Sequence, residues 1–143
     1  MNKLSETDKA YLAGFYDGEG SFEVNKRWHT VNDYRYVGYS MTSEVASTNE
    51  EILIYIKGLL GVGSISKKTQ TGNRKPAWSF NLGAKDTKDL INNIIKFSKI
   101  KLPIMKVCLS YPMKEDILNK HERDCIRDSL HEQARVLNKR GIE

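Results

Sequence analysis

Two neighbouring segments in which apolar and polar residues alternate constrain the fold of this chain more than any other feature. In residues 21–30, Phe22 and Val24 face one side and polar residues face the other, and residues 34–45 repeat this pattern. A period of two is typical of a strand with one buried and one solvent-exposed face. The turn-forming dipeptide at residues 32–33 joins the segments, so they predict an antiparallel hairpin.

Apolar residues at helical spacing predict one helix before this hairpin and another after it. The first helix is expected to be capped by Thr7 and to break at Gly18. The second is expected to be capped by Ser47 or Thr48 and to end at Gly61.

A second pair of strands follows, and helices complete the chain. We therefore predict one α+β domain over residues 1–143, with an αββαββα core, a four-stranded antiparallel sheet, helices on one face and extra C-terminal helices from about residue 104. The strands are expected at 64–68 and 76–82, the third helix from Asp86, and further helical segments, beyond an interruption at Pro103, at roughly 104–119 and 121–139.

Composition excludes several classes of protein. With 143 residues, the chain is long enough for one domain and too short for two. Its longest apolar run, Ile52–Ile56, is far shorter than the ~20 residues of a membrane span. Its 2 cysteines, Cys108 and Cys125, suit neither a disulfide framework nor a zinc cluster. We expect a soluble intracellular protein, cytoplasmic or organellar, with no membrane partner.

Charge is distributed unevenly along the chain. The formal net charge is +5, but residues 61–106 contain 10 Lys and Arg against 2 acidic residues, a balance of +8. Such a block is typical of a phosphate-binding surface. It is also compatible with a solvated lysine-rich face. Charge therefore indicates nucleic-acid binding without deciding it.

Residues Leu12–Gly20 (LAGFYDGEG), followed by Ser21 and Phe22, resemble the signature of the LAGLIDADG homing endonucleases. The match consists of Leu-Ala-Gly, two bulky apolar residues, an acid, a small residue, a second acid and a glycine. Residues 61–65 also resemble the usual start of that family's third strand. The alternative is an amphipathic helix that merely ends in a glycine-rich turn.

The chemistry of this segment suits a shared metal site. Gly14 and Gly18 lie four residues apart on one helix face, where a second helix can approach closely. Asp17 and Glu19 lie at the helix C-terminus, where the helix dipole disfavours anions by up to ~1 kcal/mol and a cation reverses that cost. Two such helices side by side would bring carboxylates together around a divalent metal.

The resemblance implies a metal-dependent, sequence-specific DNA endonuclease and assigns roles to individual residues. Glu19 would be the metal-binding catalytic carboxylate, although the family name has Asp at the position of Glu19. The Gly18 carbonyl would be a second ligand. Asp17 is a further catalytic candidate for which a structural role is favoured. Lys101, or Lys99 as second choice, would polarise the water network or stabilise charge on the phosphate, unless it is a plain surface lysine.

The resemblance also implies a polar active-site residue at the end of the second strand, and a metal cofactor. Ser47 matches that position, with Glu44 or Asn49 as alternatives. Mg²⁺ is the expected cofactor for hydrolysis of the phosphodiester bond. We expect Mn²⁺ to substitute for it and Ca²⁺ to bind without supporting cleavage.

In this family the polar face of the sheet forms a saddle in the DNA major groove, so both hairpins supply candidates for base recognition. Arg and Lys suit guanine, Asn and Gln suit adenine, and Glu suits cytosine. A register slip of one residue would exchange the two faces, and Trp28, Tyr34 and Tyr36 are also candidates for packing at the hairpin tip. The DNA-binding candidates are Glu23, Asn25, Arg27, His29, Tyr36, Ser40, Thr42, Glu44, Ser66, Lys68, Gln70, Arg74, Lys75, Ser79 and Asn81.

A single signature supplies half an active site, so the resemblance implies a homodimer. Strands of ~8–10 residues, at ~3.3 Å per residue, span roughly nine base pairs. The dimer should therefore cover about 20 base pairs of a partly palindromic duplex. The predicted interface consists of Leu12, Ala13, Gly14, Tyr16, Asp17 and Gly18.

Two other functions remain open at this stage. One is a non-cleaving protein on the same fold, either an RNA-splicing maturase with RNA as its partner or a DNA-binding regulator. Loss of the acidic pair would favour it, and Asp17 and Glu19 are both present. The other is an unrelated basic RNA-binding module. Because the sequence lacks the terminal residues of an intein, a free-standing, intron-encoded protein is expected.

Overall fold

The structure is a computed structural model that describes residues 1–116 and 118–140. Its elements follow the predicted order of two helix–strand–strand units and a helix, with two further helices after them, and this confirms the predicted α+β fold. None of the helices in these ranges has the length and apolar character that crossing a membrane requires. The elements are α1 (Glu6–Glu19), β1 (Gly20–Val31), β2 (Tyr34–Ser47), α2 (Glu50–Leu60), β3 (Ser64–Lys68), β4 (Ala77–Leu82), α3 (Ala84–Ile94), α4 (Leu102–Leu109) and α5 (Lys120–Arg140).

The four strands form one antiparallel sheet in the order β1-β2-β4-β3. Asn32 and Asp33 adopt left-handed conformations, with φ of 50° and 64°, and close the β1–β2 hairpin in a tight turn. The register pairs Gly20 with Val45 and continues without a break to that turn. Both long strands therefore keep the alternation of faces that the sequence predicts.

The core lies between one face of the sheet and the helices. Phe22, Val45 and Phe80 from the sheet are fully buried against Leu53 of α2 and Leu90 of α3. Burial of each such side chain contributes about 1.5–3 kcal/mol. This contribution fixes which face of the sheet is inward and leaves the polar face open.

Helix α5 covers the edge of the sheet at β1. The His131 ring donates from Nδ1 to the Val24 carbonyl at 2.6 Å, and the Asn138 amide donates to the Phe22 carbonyl at 3.1 Å. These side chains occupy acceptors that an edge strand otherwise leaves open to a further strand.

Two helix starts differ from the prediction because other residues cap them. Ser5, not Thr7, caps α1. Asn49, not Ser47 or Thr48, caps α2. In both cases the side-chain oxygen accepts a hydrogen bond from an amide of the first turn, at 3.1 Å and 3.0 Å.

Two further helix boundaries also need correction. α1 does not break at Gly18 but continues to Glu19. A glycine inside a helix costs about 1 kcal/mol relative to alanine, which is less than the burial of Leu12 on the same helix contributes. α3 begins at Ala84, ahead of the predicted start at Asp86.

Pro103 begins a helix instead of interrupting one. It lies in the first turn of α4, where the missing N–H of proline has no intrahelical partner to lose. The helix ends at Leu109, so the predicted helix over 104–119 is wrong beyond that residue. Pro112 disfavours helical conformation in the residue before it. Ile117, which belongs to that predicted helix, lies outside the described residues.

The basic block of residues 61–106 does not form one surface. Lys68 lies on the polar face of the sheet. Lys85 and Lys96 lie in or beside α3, where they form ion pairs with acidic residues. Only part of the positive charge of the block is therefore available to a ligand on the sheet.

Candidate functional site

The polar face of the sheet forms an open groove of about 560 Å³. Register pairs such as Asn25 with Ser40 place neighbouring polar side chains of β1 and β2 on this face. Eight of the predicted DNA-binding residues line the groove, and the register therefore has no slip that would exchange the faces. The lining residues are Glu23, Asn25, Arg27, His29, Gly38, Tyr39, Ser40, Thr42, Glu44 and Asn81.

Aromatic side chains extend the groove face to the tip of the β1–β2 hairpin. The ring of Tyr36 stacks on His29 with centroids 5.1 Å apart, and Tyr34 stacks on Tyr36 at 6.4 Å. Tyr34 is 70% exposed. On the opposite face, the Arg35 guanidinium lies 4.2 Å from the centroid of the Trp28 ring. The rings of His29, Tyr34 and Tyr36 therefore pack on one another, Trp28 packs on Arg35, and all four rings stay outside the core.

The second hairpin presents fewer unpaired polar groups to the groove. Ser79 is 4% exposed, and it forms hydrogen bonds with Ser66 at 3.0 Å and Asn81 at 3.1 Å. Because its hydroxyl is enclosed, the prediction that Ser79 contacts bases needs correction. Lys68 forms an ion pair across the face with Glu44. The remaining candidates, Gln70, Arg74 and Lys75, lie in the loop between β3 and β4.

The end of α1 opens into a separate cleft of about 440 Å³. This cleft brings together Glu19 and Ser47, two of the predicted catalytic residues, beside Phe15. The Ser47 hydroxyl accepts a hydrogen bond from the Asn49 amide at 3.0 Å. The Glu19 carboxylate is exposed, and within the described residues it has neither a hydrogen bond nor an ion pair.

The oxygen atoms at this point fit one half of a divalent-metal site. The last carbonyls of a helix lack intrahelical partners, and Gly18 is in this set. Its carbonyl and the Glu19 carboxylate are hard oxygen ligands of the kind that Mg²⁺ and Ca²⁺ prefer. In residues 1–116 and 118–140, no three side chains of His, Cys, Asp or Glu come together as a complete site.

Asp17 binds the loop that leads into α4. Its carboxylate accepts hydrogen bonds from the Ser98 hydroxyl at 2.5 Å, the Lys99 amide at 2.7 Å and the Lys101 amide at 3.1 Å. Partial burial acts to raise the pKa of the Asp17 carboxyl, but these donors outweigh it and hold that pKa below its usual range. These contacts agree with the prediction that Asp17 has a structural role.

The predicted dimer interface needs correction, because half of it lies in the core of the protomer. Leu12, Ala13 and Tyr16 are fully buried within their own chain, so their side chains cannot reach a partner. Gly14 and Gly18 are exposed, and a Cβ atom at either position would meet no atom within 4 Å.

The predicted interface omits two residues of this exposed helix face, Tyr11 and Phe15. Tyr11 is 44% exposed, and its ring lies 6.2 Å from that of the half-buried Phe15 and 6.4 Å from that of Tyr55 on α2. Tyr11 precedes Gly14 by three residues and Gly18 by seven. This helical spacing places the three residues on one face, and it could have identified Tyr11 from the sequence. We define the α1 face as Tyr11, Gly14, Phe15 and Gly18.

The chain resembles known proteins both in sequence and in fold. A family model described as LAGLIDADG endonuclease matches residues 12–113. No match is found among curated proteins.

Three solved structures share the fold at identities that support a likeness of fold alone. The archaeal intron-encoded homing endonuclease I-Vdi141I, complexed with DNA, has a TM-score of 0.69 and 20% identity, with 94% of this chain and 84% of that chain covered. The homing endonuclease I-CvuI, in complex with its target in the presence of 2 mM Ca, has a TM-score of 0.62 and 18% identity, with 92% and 82% covered. The LAGLIDADG meganuclease I-AabMI, bound to uncleaved DNA, has a TM-score of 0.61 and 19% identity, with 86% and 43% covered.

The matched range contains the end of α1, both hairpins and the loop that Asp17 binds. It covers well over half of the 143 residues. The chain therefore belongs to the LAGLIDADG endonuclease family.

Proposed function

We propose that this protein is a homodimeric, metal-dependent endonuclease that cleaves both strands of DNA at a long, partly palindromic site. The observation that carries the proposal is the position of Glu19. This exposed carboxylate, which has no ion pair within the described part of the chain, ends a glycine-faced helix and directly precedes β1, the first strand of the polar groove. A DNA duplex bound in the groove would thus place one of its phosphodiester bonds close to Glu19 at the end of α1.

Base recognition is assigned to the groove face of the β1–β2 hairpin. Arg27 offers a bidentate donor for guanine, and Asn25 has the complementary groups for adenine. β1 is longer than the sequence predicts, with 12 residues. Its 11 steps from residue to residue, at ~3.3 Å each, span about 36 Å, or roughly 11 base pairs. Two protomers would then cover about 22 base pairs.

Dimerisation is assigned to the α1 face. The glycines leave room for close approach of a second helix, since no atom of residues 1–116 and 118–140 lies within 4 Å of a Cβ placed at either position. A twofold axis through this face would place two Glu19 carboxylates and two Gly18 carbonyls near each other. That arrangement supplies the ligands that one protomer lacks.

Hydrolysis is assigned to Glu19, the Gly18 carbonyl, Lys101 and Ser47. These two oxygen ligands would hold a divalent cation, which when bound would supply Lewis-acid chemistry at the phosphate. The Lys101 ammonium stabilises negative charge on the phosphate, and Ser47 orders water in the cleft. Mg²⁺ is the proposed cofactor, with Mn²⁺ as a substitute and Ca²⁺ as a non-activating ligand. A splicing role without cleavage is not favoured, because the acidic residues of the signature are present.

The test is selection of cleaved duplexes from a random-sequence DNA library in the presence of Mg²⁺. We expect one family of partly palindromic sites, and Glu19→Gln should abolish cleavage while leaving affinity for the selected duplex within about threefold. Glu115→Gln is the control, because Glu115 is an exposed acid outside the cleft and groove. Cleavage by Glu19→Gln at the wild-type rate would contradict the assignment of the active site.

A further inference from the structure

A single carboxylate, that of Asp17, connects the end of α1 to the segment that carries both candidate lysines. Two of its three hydrogen-bond donors are the main-chain amides of Lys99 and Lys101, which lie 82 and 84 residues away in sequence. The third donor is the hydroxyl of Ser98, a residue only 2% exposed. The same short segment of α1 carries Glu19, two residues further on.

Both carboxylate oxygens of Asp17 are engaged by the protein itself. One oxygen accepts from Ser98 and Lys101, and the other accepts from Lys99. Hydrogen bonds to a charged group are shorter and roughly twice as strong as those between neutral partners. The set of contacts therefore holds the loop firmly and leaves Asp17 poorly placed to be a metal ligand as well.

Two of these contacts hold the main-chain amides of Lys99 and Lys101, the two residues whose side chains are the candidates for the active-site lysine. Lys101 is the N-cap of α4, so its amide is free to donate outside the helix. Lys99 is exposed and Lys101 is half-buried. Fixing these two amides fixes the points from which both ammonium groups extend. The acceptor lies in the same chain, so a protomer orders its own lysines before any partner joins.

We infer that Asp17 is a positioning residue, whose carboxylate sets the place of the Lys101 side chain relative to Glu19 by holding the loop at residues 98–101. This inference rests on the proposed function, because it assumes that Lys101 acts on the scissile phosphate. It assigns the two acids of the signature to different tasks. The Glu19 carboxylate would bind the metal, and the Asp17 carboxylate binds the loop of its own chain.

The test uses Asp17→Asn and Ser98→Ala in the full-length protein, with two readouts. The first is hydrogen exchange of the Lys99 and Lys101 amides in metal-free protein. Asparagine keeps the shape of the side chain but replaces one acceptor oxygen with a donor. We expect faster exchange at these amides and little change in β1. Ser98→Ala removes one donor and leaves both amide contacts, so it should give a smaller effect and remains informative if Asp17→Asn folds poorly.

The second readout is single-turnover cleavage and duplex affinity on the selected site. We expect Asp17→Asn to lower the cleavage rate roughly 10- to 100-fold, the scale of a small misplacement of a reacting group, with affinity changed less than about threefold. In a protein that already carries Lys101→Ala, Asp17→Asn should lower the cleavage rate little further. The effects of two residues that act as one unit do not add.

The outcomes separate this inference from the proposed function. An unchanged cleavage rate in Asp17→Asn, or an equal loss with and without Lys101, would overturn the positioning role. A wild-type protein that cleaves no duplex would overturn the proposed function instead. In that case the amide exchange still decides whether Asp17 orders the loop, and exchange at the wild-type rate in Asp17→Asn would refute it.

Discussion

The two hairpins of the sheet repeat one topology but offer different surfaces. β1 and β2 have 12 and 14 residues and meet in a two-residue turn. β3 and β4 have only 5 and 6 residues and are separated by an eight-residue loop, 69–76. The first hairpin thus extends beyond the core, since the last six residues of β1 are all exposed, and it is more than twice as long as the second.

The difference determines which polar side chains are available to a ligand. Arg27 and Ser40 line the groove from the first hairpin. In the second hairpin, Ser66 and Ser79 bond to each other, and Lys68 is paired across the face with Glu44. The first hairpin therefore provides nine of the ten residues that line the groove, although Asn25 and Thr42 bond to each other there at 3.2 Å.

The helices that precede the two hairpins allow the strongest test of this comparison. Gly14 of α1 and Gly58 of α2 are both exposed, and a Cβ at either position would meet no atom within 4 Å. Replacing either glycine by leucine should stabilise the protomer by roughly 0.5–1 kcal/mol through helix propensity. Only Gly14→Leu should convert the dimer to a monomer and reduce cleavage to background. Sedimentation equilibrium at micromolar concentration and a cleavage assay measure both effects.

Gly58→Leu is the matched control for this substitution, because it changes the same residue type in an equally open helical position. A Gly14→Leu protein that remains dimeric and active would remove the α1 face from the interface. If Gly58→Leu abolished dimerisation instead, the interface would have to be assigned to α2.

A smaller effect is expected from removing one basic residue of each hairpin. Arg27→Ala should weaken binding by about 1–3 kcal/mol and relax preference at one base pair of each half-site. Lys68→Ala should cost less than about 1 kcal/mol, because its ammonium must first leave Glu44, an exposed pair of modest strength. Duplex affinity of both variants at one salt concentration measures the difference. Equal losses would show that the two hairpins contribute alike.

The smallest effect concerns the attachment of α5 to the first hairpin. Asp128 accepts from the Lys26 ammonium at 2.7 Å and from the Tyr39 hydroxyl at 2.9 Å. Burial, together with the hydrogen bond to Asp128, raises the pKa of Tyr39 to about 12. Because the folded-state pKa is raised, the stability that it contributes is complete below the ordinary value near 10 and is lost as the pH rises towards about 12.

Asp128→Asn should therefore lower the pKa of Tyr39 and flatten the decline of stability between pH 10 and 12. Denaturant unfolding across this range, with NMR of labelled tyrosine, provides the measurement. Glu132→Gln is the control on the same helix, since Glu132 pairs only with Arg135 within the described residues. A pKa of Tyr39 that stays unchanged in Asp128→Asn would assign the shift to burial and to the neighbouring Asp124.

Sequence determined the features of this protein that depend on local periodicity. Alternation placed Glu23, Asn25 and Arg27 on one face because successive side chains of a strand point to opposite sides. The helical spacing of Gly14 and Gly18 identified the open face of α1 for a similar reason. The residue pattern from Leu12 to Gly20 also identified the family, since it is contiguous and needs no tertiary contact to be read.

Only the tertiary structure decided which of these side chains are free. Leu12 and Tyr16 share a helix with Gly14 and Gly18, yet the core encloses them, because the packing of other elements against α1 determines its buried side. The bond between Asp17 and the Lys101 amide joins residues 84 positions apart. No periodic pattern encodes such a contact. It exists because the folded chain brings the end of α1 to the start of α4, where a carboxylate meets amides without partners in their own helix.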